Sequence, residues 1–215
     1  MKAKTDNKNR RQRKAKRSEA IKNFDDLEAL QIEQAKASVN RVFAHGDAGE
    51  LAEARAVFDA MREFGDAEEM LVLRATASFN LILDYGAAGE LAEARAILEA
   101  MQEFGDAEKV NALRASASFN LMFDYAEAGD LSEARAIFET MRELGDAEKV
   151  RIERAKAAAN LIFFYASAEN NCAEARKIHD AMDKLGSSPE IMTIREKAAE
   201  ILSSHCPANP HIEPS

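Results

Sequence analysis

The chain has 215 residues, 47% of them apolar and 7% aromatic, with no Trp and only nine Gly and four Pro. Three of the four Pro lie at or beyond Pro207, so an interior rich in Ala, Glu, Leu and Arg predicts helix throughout. No alternating β-branched run calls for a strand, and no run of 18 apolar residues is long enough to span a membrane.

Charge is unevenly spread. Residues 1–17, MKAKTDNKNRRQRKAKR, carry nine Lys or Arg and one Asp, a charge of +8 within a chain of −9, which leaves −17 for residues 18–215. Such a segment reads as a disordered arm. The same cations would also suit contact with nucleic acid or an anionic membrane, a nuclear-import role, or a fold-back onto the acidic body. No apolar stretch follows the basic N-terminus, so no secretory signal is expected. Cys172 and Cys206 have no metal-ligand spacing. Two thiols suggest a reducing compartment, and the expected location is cytoplasmic.

After the arm, Lys14–Phe24 reads as a truncated short helix and Asp26–His45 as a first long helix. A repeat then begins. Glu50–Gly89 and Glu90–Gly129 align without a gap and match at 27 of 40 positions; Asp130–Ala168 keeps the register. One extra residue in SAENNCAEAR moves the fourth copy to a spacing of 41. A period of 40 is one helix pair, and helix pairs at a fixed period stack into a solenoid.

Within a unit, the long helix is predicted over Asp66–Ala87, with Leu73, Ala77, Leu81 and Tyr85 on one face. Asp66 is the expected N-cap, with Glu69 at the capping-box position; Asp106 and Asp146 are its equivalents. The short helix is predicted over Glu90–Phe104, with Leu91, Ala94, Leu98 and Met101 inward. Asp130 with Glu133 and Asn171 with Glu174 are expected to cap it, and Gly89 and Gly105 to end the two helices. Ser188–Ser204 is the expected final, solvating helix, opened by Pro189 near its first turn. It puts Ile201 and Ser204 where earlier units have Asn and Phe or Leu. The predicted division is a basic arm (1–17), a solenoid of about four helix pairs plus a capping helix (18–204) and a tail (205–215).

The spacing Tyr85, Gly89, Ala94, Leu98, Met101, repeated as Tyr125, Gly129, Ala134, Phe138, Met141, resembles the signature of the tetratricopeptide repeat. A weaker version follows at Tyr165, Ala175, His179 and Met182. The usual unit of that family is about six residues shorter. The extra length most simply extends the N-terminal end of the long helix, at DAEEML. The resemblance implies an all-α, right-handed solenoid of stacked antiparallel helix pairs, with the long helices lining a concave groove.

The short helix, GELAEARAVFDAMREFG, is also similar to the pentatricopeptide repeat, an RNA-reading relative. That family's base-reading position falls just after the Asn, here on Leu81, Leu121 and Leu161. Leucine cannot hydrogen-bond a base edge, and an acidic body repels phosphates.

Candidate site residues follow from register. Asn40, Asn80, Asn120 and Asn160 recur once per long helix. In the resembled family an Asn about a turn before the aromatic often holds a peptide main chain. A carboxamide offers the acceptor and donors for that. The alternative is an Asn that bonds a neighbouring helix and fixes stacking. Three residues after each Asn stand Phe43, Leu83, Phe123 and Phe163. One residue before stand Val39, Phe79, Phe119 and Ala159. These suit an apolar peptide groove or a core between repeats. Lys36 and Lys156 precede their Asn by four and share its face. In the resembled family such Lys and Asn can clamp a terminal carboxylate, but the middle copies here are Thr76 and Ser116. Arg74, Arg114, Arg154 and Arg195 also recur, with Asp84 and Asp124 ten residues on, and read as structural charge pairs between adjacent helices.

No catalytic constellation and no cofactor or metal site is legible, and an enzyme is not expected. The expected function is non-catalytic binding of a protein or peptide in the groove. Nucleic-acid binding is the alternative, through a pentatricopeptide-like solenoid or through residues 1–17. Self-association by end-to-end stacking is a further possibility.

Overall fold

A computed structural model of the chain describes residues 26–168 and 171–207. The basic arm, the helix expected over Lys14–Phe24, and residues 208–215 of the tail lie outside the described residues. Nine α-helices occur within them, in chain order: α1 (26–47), α2 (Leu51–Ala60), α3 (Glu68–Ala87), α4 (Leu91–Ala100), α5 (Glu108–Glu127), α6 (Leu131–Thr140), α7 (Glu148–Ser167), α8 (Cys172–Ala181) and α9 (Pro189–His205). Each of α2, α4, α6 and α8 runs on into a single 3₁₀ turn: Met61–Phe64, Met101–Phe104, Met141–Leu144 and Met182–Leu185. No strand occurs among the described residues.

The four-residue apolar spacing does what it predicts. Ala77, Leu81 and Tyr85 are buried along α3, Ala117 and Leu121 along α5, and Ala157 and Leu161 along α7. Leu73 is half-buried at the edge of that stripe. Fully burying a side chain the size of Leu stabilises the fold by about 1.5–3 kcal/mol. On α4, Ala94 and Leu98 are buried, as is Met101 in the turn that follows, while Leu91 is half-buried. Gly105 has φ +76° at the end of that turn, a left-handed conformation costly for other residues, and Gly89 does the same after α3.

The stacking is in two layers. Each of α3, α5 and α7 packs side by side with the next long helix, the last of them with α9. α4, α6 and α8 each pack on the long helices before and after them, and α2 packs on α3. The molecule is an all-α solenoid with one side of the long-helix layer covered by short helices and the other side free.

The caps differ from expectation. Asp130 Oδ1 accepts the Glu133 N–H at 3.0 Å, as predicted, but Asn171 makes no such bond. The long helices start at Glu68, Glu108 and Glu148, two residues later than the Asp expected to cap them, and their N-caps are Ala67, Ala107 and Ala147. The Asp residues are engaged elsewhere. Asp66 accepts from Arg74 Nη2 at 2.6 Å, and Asp106 and Asp146 lie 3.6 and 3.5 Å from Arg114 and Arg154. Each Arg therefore pairs with the loop before its own helix rather than with Asp84 or Asp124 of the long helices. Arg74 is 7% exposed and lies 5.2 Å over the Phe104 ring, so its charge is held in a largely dry setting. In the last unit Arg195 pairs with Asp183 instead.

The two cysteines are joined as a disulfide, with Cα atoms 5.6 Å apart. The expectation of two free thiols is corrected, and the inference from them to a reducing compartment loses its ground. α9 continues through His205, and Cys206 is buried against α8.

Candidate functional site: the free face of the long-helix layer

Four rows of side chains cross the free face, each with members on four successive long helices. The first is Glu69, Lys109, Lys149 and Glu190, at the N-terminal ends of α3, α5, α7 and α9. One to two turns on, Lys36, Thr76, Ser116 and Lys156 follow on α1, α3, α5 and α7. The third row is Asn40, Asn80, Asn120 and Asn160. The fourth is Phe43, Leu83, Phe123 and Phe163.

Two ion pairs fix the register between neighbouring helices. Lys36 Nζ on α1 lies 3.7 Å from Glu69 on α3, and Lys156 on α7 lies 3.8 Å from Glu190 on α9. Both lysines also pair within their own helix, with Glu33 at 3.1 Å and Glu153 at 3.4 Å. Bonding to Glu33 and the charge of that residue raise the Lys36 pKa above its usual value. These two candidate lysines are thus held between carboxylates in the described structure. Thr76 and Ser116 donate to carbonyls of their own helices, Val72 at 2.8 Å and Ala112 at 3.1 Å.

Asn40 is exposed, and Asn80, Asn120 and Asn160 are half-buried. Asn120 Nδ2 donates to the Ser116 carbonyl of its own helix at 2.8 Å. Among the described residues no Asn of the row bonds to a neighbouring helix through its side chain.

The apolar residues divide by position. Phe43 and Phe163 are 58% and 43% exposed, while Leu83 and Phe123 are half-buried. Phe163 and Phe123 both lie edge-on to Phe164, at 5.5 and 5.6 Å between centroids, which makes an aromatic cluster at the C-terminal end of the face. Phe79 and Phe119 are half-buried and pack against the core.

Backbone contact explains the edges of the groove. Asp84 lies against Gly46 of α1, and Asp124 against Gly86 of α3, so closely that a Cβ on either glycine would run into the carboxylate. Asn80 shares the edge of Asp84, four residues on, which faces the preceding helix. Phe79 shares the edge of Gly86, seven residues on, which faces the following helix. Each groove between long helices therefore has Asn on one wall and, in the middle units, Phe on the other. Burial, with a lesser push from the Asp47 charge, raises the Asp84 pKa. Burial and then Glu127 raise that of Asp124.

The fold and this face define a helical-repeat scaffold. A tetratricopeptide repeat model matches residues 35–60 and 75–100, and a PPR repeat model matches residues 118–146. The repeats are tetratricopeptide-like, with PPR similarity in the unit that contains α6. No curated protein and no solved structure matches the chain. The two tetratricopeptide matches begin at Ala35 and Ala75, partway along α1 and α3, so the first turns of α3 lie outside the matched segment. Repeats of these two kinds bind proteins or RNA. Leu81, Leu121 and Leu161, at the register of base-reading side chains, are fully buried in the core. No helix among the described residues is long and apolar enough to cross a membrane.

Two features escaped the sequence reading. Arg55, Arg95 and Arg135 each reach the next short helix, with Glu93, Glu133 and Glu174 at 4.0, 3.6 and 3.1 Å. The recurrent EAR triplet carried that signal. The Lys–Glu pairs across the free face were legible only once the register between helices was known.

Proposed function

We propose that the chain is a non-catalytic scaffold that binds a protein or peptide along the free face of its long helices. The observation that carries this reading is the Asn row. Asn80, Asn120 and Asn160 sit half-exposed beside the apolar row, with hydrogen-bonding capacity that no neighbouring helix uses. An extended peptide laid across α3, α5 and α7 offers a carbonyl and an N–H to each carboxamide. Its apolar side chains would rest on Leu83, Phe123 and the exposed Phe163.

The test is selection of random peptides on the immobilised full chain, followed by titration of an enriched peptide against wild type and Asn80→Ala/Asn120→Ala. Each lost hydrogen bond is worth about 0.5–1.5 kcal/mol, so the double variant should bind roughly tenfold or more weakly. Its helicity and melting should stay near wild type. A variant that unfolds without a separate binding defect would assign the Asn row to stacking.

The PPR match favours RNA as the second reading. The buried leucines and the acidic body weigh against base reading by the solenoid, which leaves residues 1–17 as the better nucleic-acid contact. Salt-dependent RNA binding that disappears when residues 2–17 are deleted would confine it there. Binding that survives the deletion would support the solenoid.

A further inference from the structure

The first two rows of the free face are charge-matched at the ends of the array and unmatched in its centre. Helix to helix, the facing positions are Lys36 with Glu69, Thr76 with Lys109, Ser116 with Lys149, and Lys156 with Glu190. The first and last pairs are seen directly. The two central pairs follow from the same offset of 33 residues between neighbouring helices as the first. At the centre Lys109 and Lys149 stand where the outer units have Glu69 and Glu190, and the facing position, a lysine in the outer units, holds a short hydroxyl bonded to its own helix. Among the described residues Lys109 and Lys149 form no salt bridge, although both belong to a body of strong net negative charge. The two lysines line one cleft of about 540 Å³, together with Ala112, Leu113, Glu68 and Glu108. Glu68 and Glu108 are the first residues of α3 and α5, where the helix dipole favours a carboxylate.

We infer that this cleft takes an acidic segment of a partner polypeptide, two carboxylate side chains pairing with Lys109 and Lys149 and an apolar side chain between them resting on Leu113 and Ala112. The inference deepens the peptide-binding reading and rests on it. The lysines stand on neighbouring long helices, whose axes are about 8–10 Å apart in ordinary helix packing. An extended chain rises about 3.3 Å per residue, so side chains two and four positions apart on one face lie about 7 and 13 Å apart. With flexible lysine stems this fits an acid, an apolar residue two further on, and a second acid two beyond that. A polyphosphate backbone fits less well, because it brings a negative charge with every residue into a cleft where Glu68 and Glu108 flank the cations, whereas the peptide brings two spaced charges and an apolar side chain between them. Both lysines lie outside the matched segments, Lys109 between the matches that end at residue 100 and begin at residue 118, and Lys149 beyond residue 146.

The experiment is selection of a random nonapeptide library on three immobilised full-length proteins: wild type, Lys109→Glu/Lys149→Glu, and Thr76→Glu/Ser116→Glu. The last keeps both lysines and gives each a facing acid, an ion pair in the reverse orientation to those of the outer units. Arg62→Glu/Lys184→Glu, on the short-helix layer, is the matched charge control, and thermal melting establishes that each variant is folded. Wild type and the control should enrich peptides with paired acids around an apolar residue. Both free-face variants should lose that preference and bind the enriched peptides about fivefold or more weakly, as expected for two exposed ion pairs. Peptides enriched by wild type without acidic bias, and bound equally by all four proteins, would overturn this inference and leave the Asn-row reading standing. Failure to enrich any peptide would overturn both. Salt-sensitive binding of a polyuridine probe that is lost with Lys109→Glu/Lys149→Glu would assign the cleft to nucleic acid instead.

Discussion

The hydroxyl of Tyr165 donates to the carbonyl oxygen of Leu131 at 3.3 Å, tying a long helix to the start of the short helix before it. Tyr125 does the same to Leu91 at 3.1 Å, and both partners are 34 residues apart. Forty-one residues beyond Tyr165 and Leu131 stand Cys206 and Cys172, again 34 apart and covalently joined. The terminal unit thus carries a disulfide at the register of the hydrogen bond that ties the units before it. Arg176 follows the same logic: with no further short helix among the described residues, its Nη2 donates to the Cys206 carbonyl at 2.6 Å.

Reduction, or Cys172→Ser, should therefore loosen the last helix selectively. A cross-link closing a loop of this size contributes on the order of 2–4 kcal/mol. In a solenoid that loss falls on the terminal unit. Amide hydrogen exchange should accelerate across Pro189–His205 and change little in α3 and α5. Uniform acceleration along the whole array, or none, would contradict the assignment.

Tyr125→Phe removes one tie from the middle of the array and keeps the ring. A single hydrogen bond of this kind is worth about 0.5–1.5 kcal/mol. For a chain of this size that lowers Tm by about 2–4 °C per kcal/mol, measurable by thermal melting. Tyr85→Phe should cost less, because no equivalent bond joins Tyr85 to α2 among the described residues.

Asp84 is a partly buried acid whose Oδ2 has no hydrogen-bond partner. Its pKa is raised above the ordinary 3.8, chiefly by burial, so folding favours the protonated form. The fold is stabilised by this group below about pH 3.8, and that contribution is lost as pH rises through the higher folded-state value. At neutral pH the charge is a net cost. Asp84→Asn should therefore raise Tm by about 1–3 °C at pH 7, with the gain shrinking as pH falls toward 4. A gain that is constant with pH would point to packing rather than charge.

Gly46→Ala tests the same contact from the other side. It should destabilise the wild-type background and be tolerated better beside Asp84→Ala, a coupling that a double-mutant cycle measures. One unit later Gly86 and Asp124 repeat the contact, and two units later Ala126 and Phe164 occupy the equivalent positions, with no carboxylate there.

The architecture was legible because the signals that set it are local and repeated. Ala77, Leu81 and Tyr85 recur at one helical spacing, and Gly65 and Gly105 punctuate each unit. The positions of the charges were not legible in the same way. Asp66 stands where an N-cap is expected, yet it satisfies Arg74, because a guanidinium 7% exposed needs a carboxylate more than the helix start does. Cys172 and Cys206 look unrelated until the 41-residue offset of the last unit is applied to Tyr165 and Leu131. The Asn row could be placed on one face from spacing alone. That Lys36 and Lys156 are held by Glu69 and Glu190, while Lys109 and Lys149 are not, depends on the offset between neighbouring helices.

In the proposed function the free face of the long helices is a peptide-binding surface read through its asparagines. Fluorescence anisotropy of a labelled peptide selected on the full chain, titrated against wild type and Asn80→Ala/Asn120→Ala, tests it most directly. Binding to wild type should be saturable, and affinity should be roughly tenfold or more weaker for a double variant that melts like wild type. Equal affinity for the two folded proteins would contradict it.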